Sequence, residues 1–150
     1  MFTFIRNTTW KNDNVLWNKV AENYSDSPWA HINLGYVFLE EGLFDRAVER
    51  FKLAESLIPD NLKIPHYAQI YNGLGICFGA KGLYKEAIDY FKKALNLDAE
   101  YVRVYNNLGI TYARIKQMHA AKNAWKKALK INPSYKQAQD NLKKLDKFDY

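Results

Sequence analysis

Three asparagines hold equivalent places in this 150-residue chain: Asn33, Asn107 and Asn141 each stand directly before a leucine. A side-chain amide donates and accepts hydrogen bonds at once. A row of amides therefore suits an extended peptide backbone, which offers both groups at every residue. In the second copy Gly73 takes the place and interrupts the row, with Asn72 beside it. The plain alternative is an asparagine chosen only for a solvent-facing helix position. Helical spacing around the amides brings in Trp29, Tyr36, Ile76, Arg103, Ile110 and Arg114, an apolar floor edged by polar groups.

Groups suited to covalent or acid–base chemistry are scattered. His31, His66 and His119 fall in three different segments, none with the spacing of a metal-binding helix. His31 reads as a packing residue. The pair Glu40 and Glu41 sits at a helix end without an apolar pocket to raise a carboxyl pKa. Nucleophile elbow, phosphate loop and dinucleotide fingerprint are all missing. One cysteine, Cys77, excludes an internal disulfide framework and a cysteine-rich metal site; it reads as a small buried hydrophobe. The expectation is a non-enzyme with no catalytic residue, metal site, cofactor or small-molecule substrate.

Charge is unevenly placed. Residues 1–75 carry 7 Lys/Arg against 9 Asp/Glu, or −2, and residues 76–150 carry 15 against 7, or +8. A basic half fits nucleic acid or an acidic partner. Lys92, Lys93, Lys122, Lys126, Lys127 and Lys130 fall opposite the apolar positions, so a solvated helix face is the favoured reading. No run of eighteen apolar residues occurs, and the start is too short and polar for a secretory signal.

The elements that must position these residues repeat. Leu34-Gly35, Leu74-Gly75 and Leu108-Gly109 are each followed by an aromatic, an alanine, an aromatic and an alanine. These are Phe38, Ala47, Phe51 and Ala54; Phe78, Ala87, Phe91 and Ala94; and Tyr112, Ala121, Trp125 and Ala128. The last two copies are spaced by 108 − 74 = 34, the first two by 74 − 34 = 40. Each copy reads as two amphipathic helices joined by a short turn. Gly42 and Gly82 stand where that turn calls for a left-handed residue. Lys116 takes the place in the third copy, which predicts a strained or differently shaped turn. The glycines of the Leu-Gly pairs are expected to let helix backbones approach closely.

This pattern resembles the tetratricopeptide repeat (TPR) family. The resemblance implies an all-α, right-handed superhelix of stacked antiparallel helix pairs with a C-terminal capping helix. It divides the chain into an N-terminal extension and half-repeat helix (1–27), a first repeat (28–61), an insertion (62–67), a second repeat (68–101), a third (102–135), and a capping helix with tail (136–150). The half-repeat helix is expected from Asp13, as N-cap, to Tyr24, with Trp17, Ala21 and Tyr24 on one face; the capping helix is expected over 136–147. Pro65 suits a first helical turn, so the second repeat's first helix is expected to start near it.

Arrays of this family line a groove with the first helix of each repeat. The implied function is a protein–protein interaction module, a scaffold or adaptor, holding a peptide segment of a partner. The implied groove residues are Trp29, Asn33, Tyr36, Asn72, Ile76, Arg103, Asn107, Ile110, Arg114 and Asn141. TPR arrays use such an asparagine ladder on peptide backbones. The carboxylate grip of chaperone-binding members is not matched, because its places hold Ile32, Tyr36, Gly73, Arg103 and Asn107. Nucleic-acid binding by the basic half is the alternative function, and the interrupted asparagine pattern does not resemble a base-reading code. Weak self-association through Phe2, Phe4 and Trp10 is a further expectation. The stretch from Arg6 to Gly35 also resembles the join between membrane region and repeats in polytopic, glycosyltransferase-like membrane proteins. That context would make the chain extracytoplasmic, whereas a free-standing adaptor would be cytoplasmic.

Overall fold

The computed structural model describes residues 7–59 and 65–146. Among them every regular element is helical: α1 (Asn7–Asn23), α2 (Pro28–Glu40), α3 (Phe44–Leu57), α4 (Pro65–Ala80), α5 (Tyr84–Leu97), α6 (Val102–Arg114), α7 (Met118–Ile131) and α8 (Lys136–Asp146). The lone first helix, three pairs and last helix form an all-α helical-repeat superhelix. Successive helices pack antiparallel, and every second one also meets its like: α2 touches α4, α4 touches α6, and α6 touches α8. The second helices α3, α5 and α7 make no such approach to one another. Helices that converge on one side and fan apart on the other bend the stack, so α2, α4, α6 and α8 line its inner face.

The Leu-Gly positions act differently from the expected backbone-to-backbone approach. A Cβ at Gly35 would stand 2.8 Å from the Phe51 ring, one at Gly75 2.5 Å from Phe91, and one at Gly109 2.3 Å from Trp125 Nε1. Each glycine thus admits the aromatic ring of its own repeat's second helix against the first helix's backbone. Phe51 and Phe91 are almost wholly buried, and Trp125 is 4% exposed while donating Nε1–H to the carbonyl of Asn106 at 3.2 Å. Gly73 has the same explanation: a Cβ there would stand 2.4 Å from Phe51. That ring is wedged between α2 and α4, and the second copy has no room for an asparagine at position 73.

All three intra-repeat turns have one geometry. Gly42 (φ 76°) and Gly82 (φ 79°) are left-handed, and so is Lys116 (φ 61°). In each, the left-handed residue's N–H and the next one's return to the helix carbonyls: Gly42 to Leu39 and Leu43 to Phe38, Gly82 to Gly79 and Leu83 to Phe78, Lys116 to Ala113 and Gln117 to Tyr112. This is the paired helix-end closure in which glycine is favoured. Of the two outcomes expected at Lys116, the turn keeps its shape and a side-chain-bearing residue takes the strain.

Other boundaries differ modestly from expectation. Helix α1 begins at Asn7, so Asp13 lies inside it rather than capping it. Ala21 is buried and Trp17 packs against the first core cluster, but Tyr24 is 65% exposed and Val20 takes its inward place. Helix α4 begins at Pro65 and α8 ends its described part at Asp146. Ser27 caps α2, accepting from the Ala30 N–H, with Pro28 at the first helical position.

Candidate functional site: the inner groove and its amides

The amides on the inner face spend much of their hydrogen-bonding capacity on one another. Asn107 of α6 donates Nδ2–H to Asn72 Oδ1 of α4 at 3.0 Å. One repeat later Asn141 of α8 donates in the same way to Asn106 Oδ1 of α6, also at 3.0 Å. The motif is an asparagine two places before one repeat's leucine accepting from an asparagine one place before the next repeat's leucine. It clasps adjacent first helices. Asn72 is wholly buried and Asn106 is 5% exposed, whereas the donors Asn107 and Asn141 are half-buried.

The clasp cannot be built between α2 and α4, because Ile32 and Gly73 stand where its two asparagines would be. Tyr36 replaces it. Its hydroxyl donates to the Gln69 carbonyl at 2.8 Å and accepts from Asn72 Nδ2 at 3.3 Å. Burial holds the Tyr36 phenol well above the usual tyrosine range; the neighbouring Tyr101 adds to the rise, and Asn72 and Arg103 oppose it. Asn33 turns back on its own helix, donating to the Trp29 carbonyl at 3.0 Å.

The surface of the groove is made by other residues. A cleft of about 360 Å³ between α4 and α6 is lined by Ile76, Asn107, Ile110 and Arg114 over a floor that includes Gly79 and Phe91. Ile110 is 40% exposed, a large apolar side chain held at the surface. Arg103 and Arg114 are exposed at the two ends of α6. Trp29 is 46% exposed on α2, and its ring lies 3.9 Å, centroid to centroid, from that of His66.

Apart from Asn33, which is bonded to its own helix, the expected residues fall into three groups. Ile76, Asn107, Ile110 and Arg114 come together around one cleft, and Trp29 and Arg103 are exposed apart from it. Tyr36, Asn72 and Asn141 tie the inner wall together. Asn106 was missed as a clasp residue. Its signal was present in the doubled Asn106-Asn107 before Leu108, since 141 − 106 and 107 − 72 are both 35.

The three histidines stand on three different helices, α2, α4 and α7. His31 is buried on α2, its Nε2 2.8 Å from the Ser25 carbonyl, and His119 is exposed beside Asn123 on α7. Among the described residues no three His, Cys, Asp or Glu side chains gather as a metal site would require, and no helix is long and apolar enough to cross a membrane. Phe2 and Phe4 lie outside the described residues.

Two tetratricopeptide repeat family models match, one over residues 26–100 and one over 102–135. No curated protein sequence matches. Among solved structures, the chain is similar to one from the APC/C hetero-tetramer Cut9–Hcn1, with a TM-score of 0.82 and 22% identity over 88% of this chain. It spans 26% of that longer chain. MamA matches with a TM-score of 0.74 and 21% identity over 98% of this chain and 85% of its own. The TPR domain of Arabidopsis OM64 matches with a TM-score of 0.72 and 21% identity over 81% and 95%. At such identities the three likenesses carry the fold alone.

Proposed function

Because this chain belongs to the tetratricopeptide repeat family, whose arrays are in general protein-interaction scaffolds, we propose that it is a non-enzymatic adaptor holding a peptide segment of a partner in its inner groove. The observation that carries this reading is the cleft between α4 and α6, where Ile76 and Ile110 face open space beside Asn107 and Arg114. An exposed apolar floor with a few convergent polar groups is the usual make-up of a recognition site. Arg103 and Arg114 add positive charge at both ends of α6, and Trp29 extends the surface toward α2. Tyr36, Asn72 and Asn141 serve the same site indirectly by fixing the helix spacing that the segment meets.

Affinity capture from source extract with the whole chain tests it, comparing wild type with Ile110→Asp and with Arg114→Ala. Both positions are exposed, so neither variant should unfold the array. A protein retained by wild type and lost by both variants supports the groove. The same set captured by all three would overturn it. Nucleic acid that elutes as salt is raised would favour the basic half instead.

A further inference from the structure

The outer face carries a second cleft, and the preceding repeat shows what would fill it. Between α5 and α7 a cleft of about 410 Å³ opens over Leu95, Tyr105, Leu108 and Tyr112, with Ala124 on its α7 wall. One period earlier, at 124 − 34 = 90, the place of Ala124 is held by Tyr90. Tyr90 closes the equivalent space between α3 and α5: its ring stacks on Phe78 at 5.2 Å and lies 6.1 Å from Tyr71. The third repeat keeps the counterparts of those partners, Tyr112 and Tyr105, and lacks the ring that packs on them.

The charges change in step. Around Tyr90 stand Glu86 and Asp89 on the same helix, and Glu55, whose charge helps to raise the phenols of both Tyr71 and Tyr90. The corresponding places in the open cleft are Ala120, Asn123 and Leu95, so every carboxylate has gone. The cations stay. Lys93 lies 5.0 Å from the Tyr90 ring and 5.6 Å from that of Tyr71. Its counterpart Lys127 lies 5.8 Å from Tyr105, with Ala124 where the second ring would stand, and Lys92 lines the same cleft. From Tyr101 to Gln139 the chain has eight Lys/Arg and no Asp or Glu.

We propose that the α5–α7 cleft is a second protein-docking site, which takes an aromatic side chain flanked by carboxylates from an acidic segment of a partner protein. The incoming ring stands where Tyr90 stands in the preceding repeat, between Tyr112 and Tyr105 and under Lys127. Its neighbouring carboxylates replace those missing from the rim. A cleft with an apolar floor and room for one ring fits this occupant better than a nucleic-acid backbone, which calls for cations along an open track. The site lies on the opposite face from the inner groove and does not depend on it.

The test is a fluorescence-anisotropy titration of the whole chain with a short labelled peptide carrying one tyrosine between aspartates and glutamates. The expected result is saturable binding that is abolished by Ala124→Tyr, a residue the preceding repeat already houses at this place. Lys127→Ala should weaken binding about tenfold through loss of the cation–ring contact. A peptide with alanine for its tyrosine should not bind, and Ile110→Asp in the inner groove should leave binding unchanged. Absence of binding to wild type would overturn the proposal, as would binding indifferent to both Ala124→Tyr and Lys127→Ala. Stronger binding of a single-stranded oligonucleotide, lost with the same variants, would reassign the cleft to nucleic acid and overturn it too.

Discussion

Asn107 reaches from α6 to the buried Oδ1 of Asn72 on α4, and the same bond recurs between Asn141 and Asn106 one repeat on. A stack held by such a clasp has its inner curvature tied to amide pairs as well as to apolar packing. Removing Asn107 leaves the buried Asn72 Oδ1 unsatisfied, whereas removing Asn72 leaves a half-buried donor that water can reach and also breaks the separate bond to the Tyr36 hydroxyl. Asn107→Ala is therefore expected to cost about 1–3 kcal/mol of stability. A double-mutant cycle of Asn72→Ala with Asn107→Ala in urea should show coupling of about 0.5–1.5 kcal/mol. Additive losses would mean that the clasp contributes nothing.

Lys116 holds a left-handed backbone that Gly42 and Gly82 hold in the other two turns. A side-chain-bearing residue there costs about 1–2 kcal/mol relative to its right-handed form. Glycine's greater freedom in the unfolded chain cancels part of the gain. Lys116→Gly should thus raise stability by about 0.5–1 kcal/mol, seen as a higher urea midpoint at unchanged slope. A lower midpoint would show that the lysine side chain makes a compensating contact.

Gly109 is the tightest of the Leu-Gly positions, since a Cβ there would stand 2.3 Å from Trp125 Nε1. Gly109→Ala must displace the indole and break its bond to the Asn106 carbonyl. We expect a loss of about 1–3 kcal/mol or more, with a red shift and broadening of the tryptophan emission. Because Asn106 also accepts from Asn141, the variant should loosen α8 as well, which faster amide exchange in that helix would report.

Cys77 is wholly buried, and burial pushes its thiol up to about 12 from an ordinary value of 9.0. Tyr71 is likewise raised to about 12, chiefly by burial and then by Glu55, from 10.0. Both groups stay protonated in the fold at pH values where the unfolded chain has released its protons. Their contribution to stability is complete below about pH 9 and declines as pH rises from there toward 12. The fold should lose stability steadily over that window. A thiol reagent at pH 8 should label Cys77 only when denaturant is added; rapid labelling of the native protein would contradict the burial.

Much of this architecture was written in the spacing of residues. The aromatic and alanine positions behind the Leu-Gly pairs and the glycines at the turns each state a local requirement, a small residue at a crossing or a left-handed link, whereas the ring that each Leu-Gly glycine admits emerged only from the packing. Such requirements are satisfied within one helix pair, so the linear pattern predicted the helix order, and Pro65 marked the start of α4. The resemblance to the tetratricopeptide repeat family put the first helices on the inner face, where α2, α4, α6 and α8 meet one another.

What only the tertiary structure decided lies between repeats. Asn72 reads along the chain as one more groove amide, yet α6 covers it and makes it an acceptor. Gly73 interrupts a row of asparagines because the Phe51 ring, brought from α3, occupies the space. Ala124 reads as an ordinary small core residue until its place is compared with that of Tyr90, when the missing ring becomes an open cleft. For Asn72 and Gly73 the deciding neighbours, Asn107 and Phe51, stand 35 and 22 positions away. Which side chain satisfies a hydrogen bond or fills a gap depends on distances that no spacing within one helix contains.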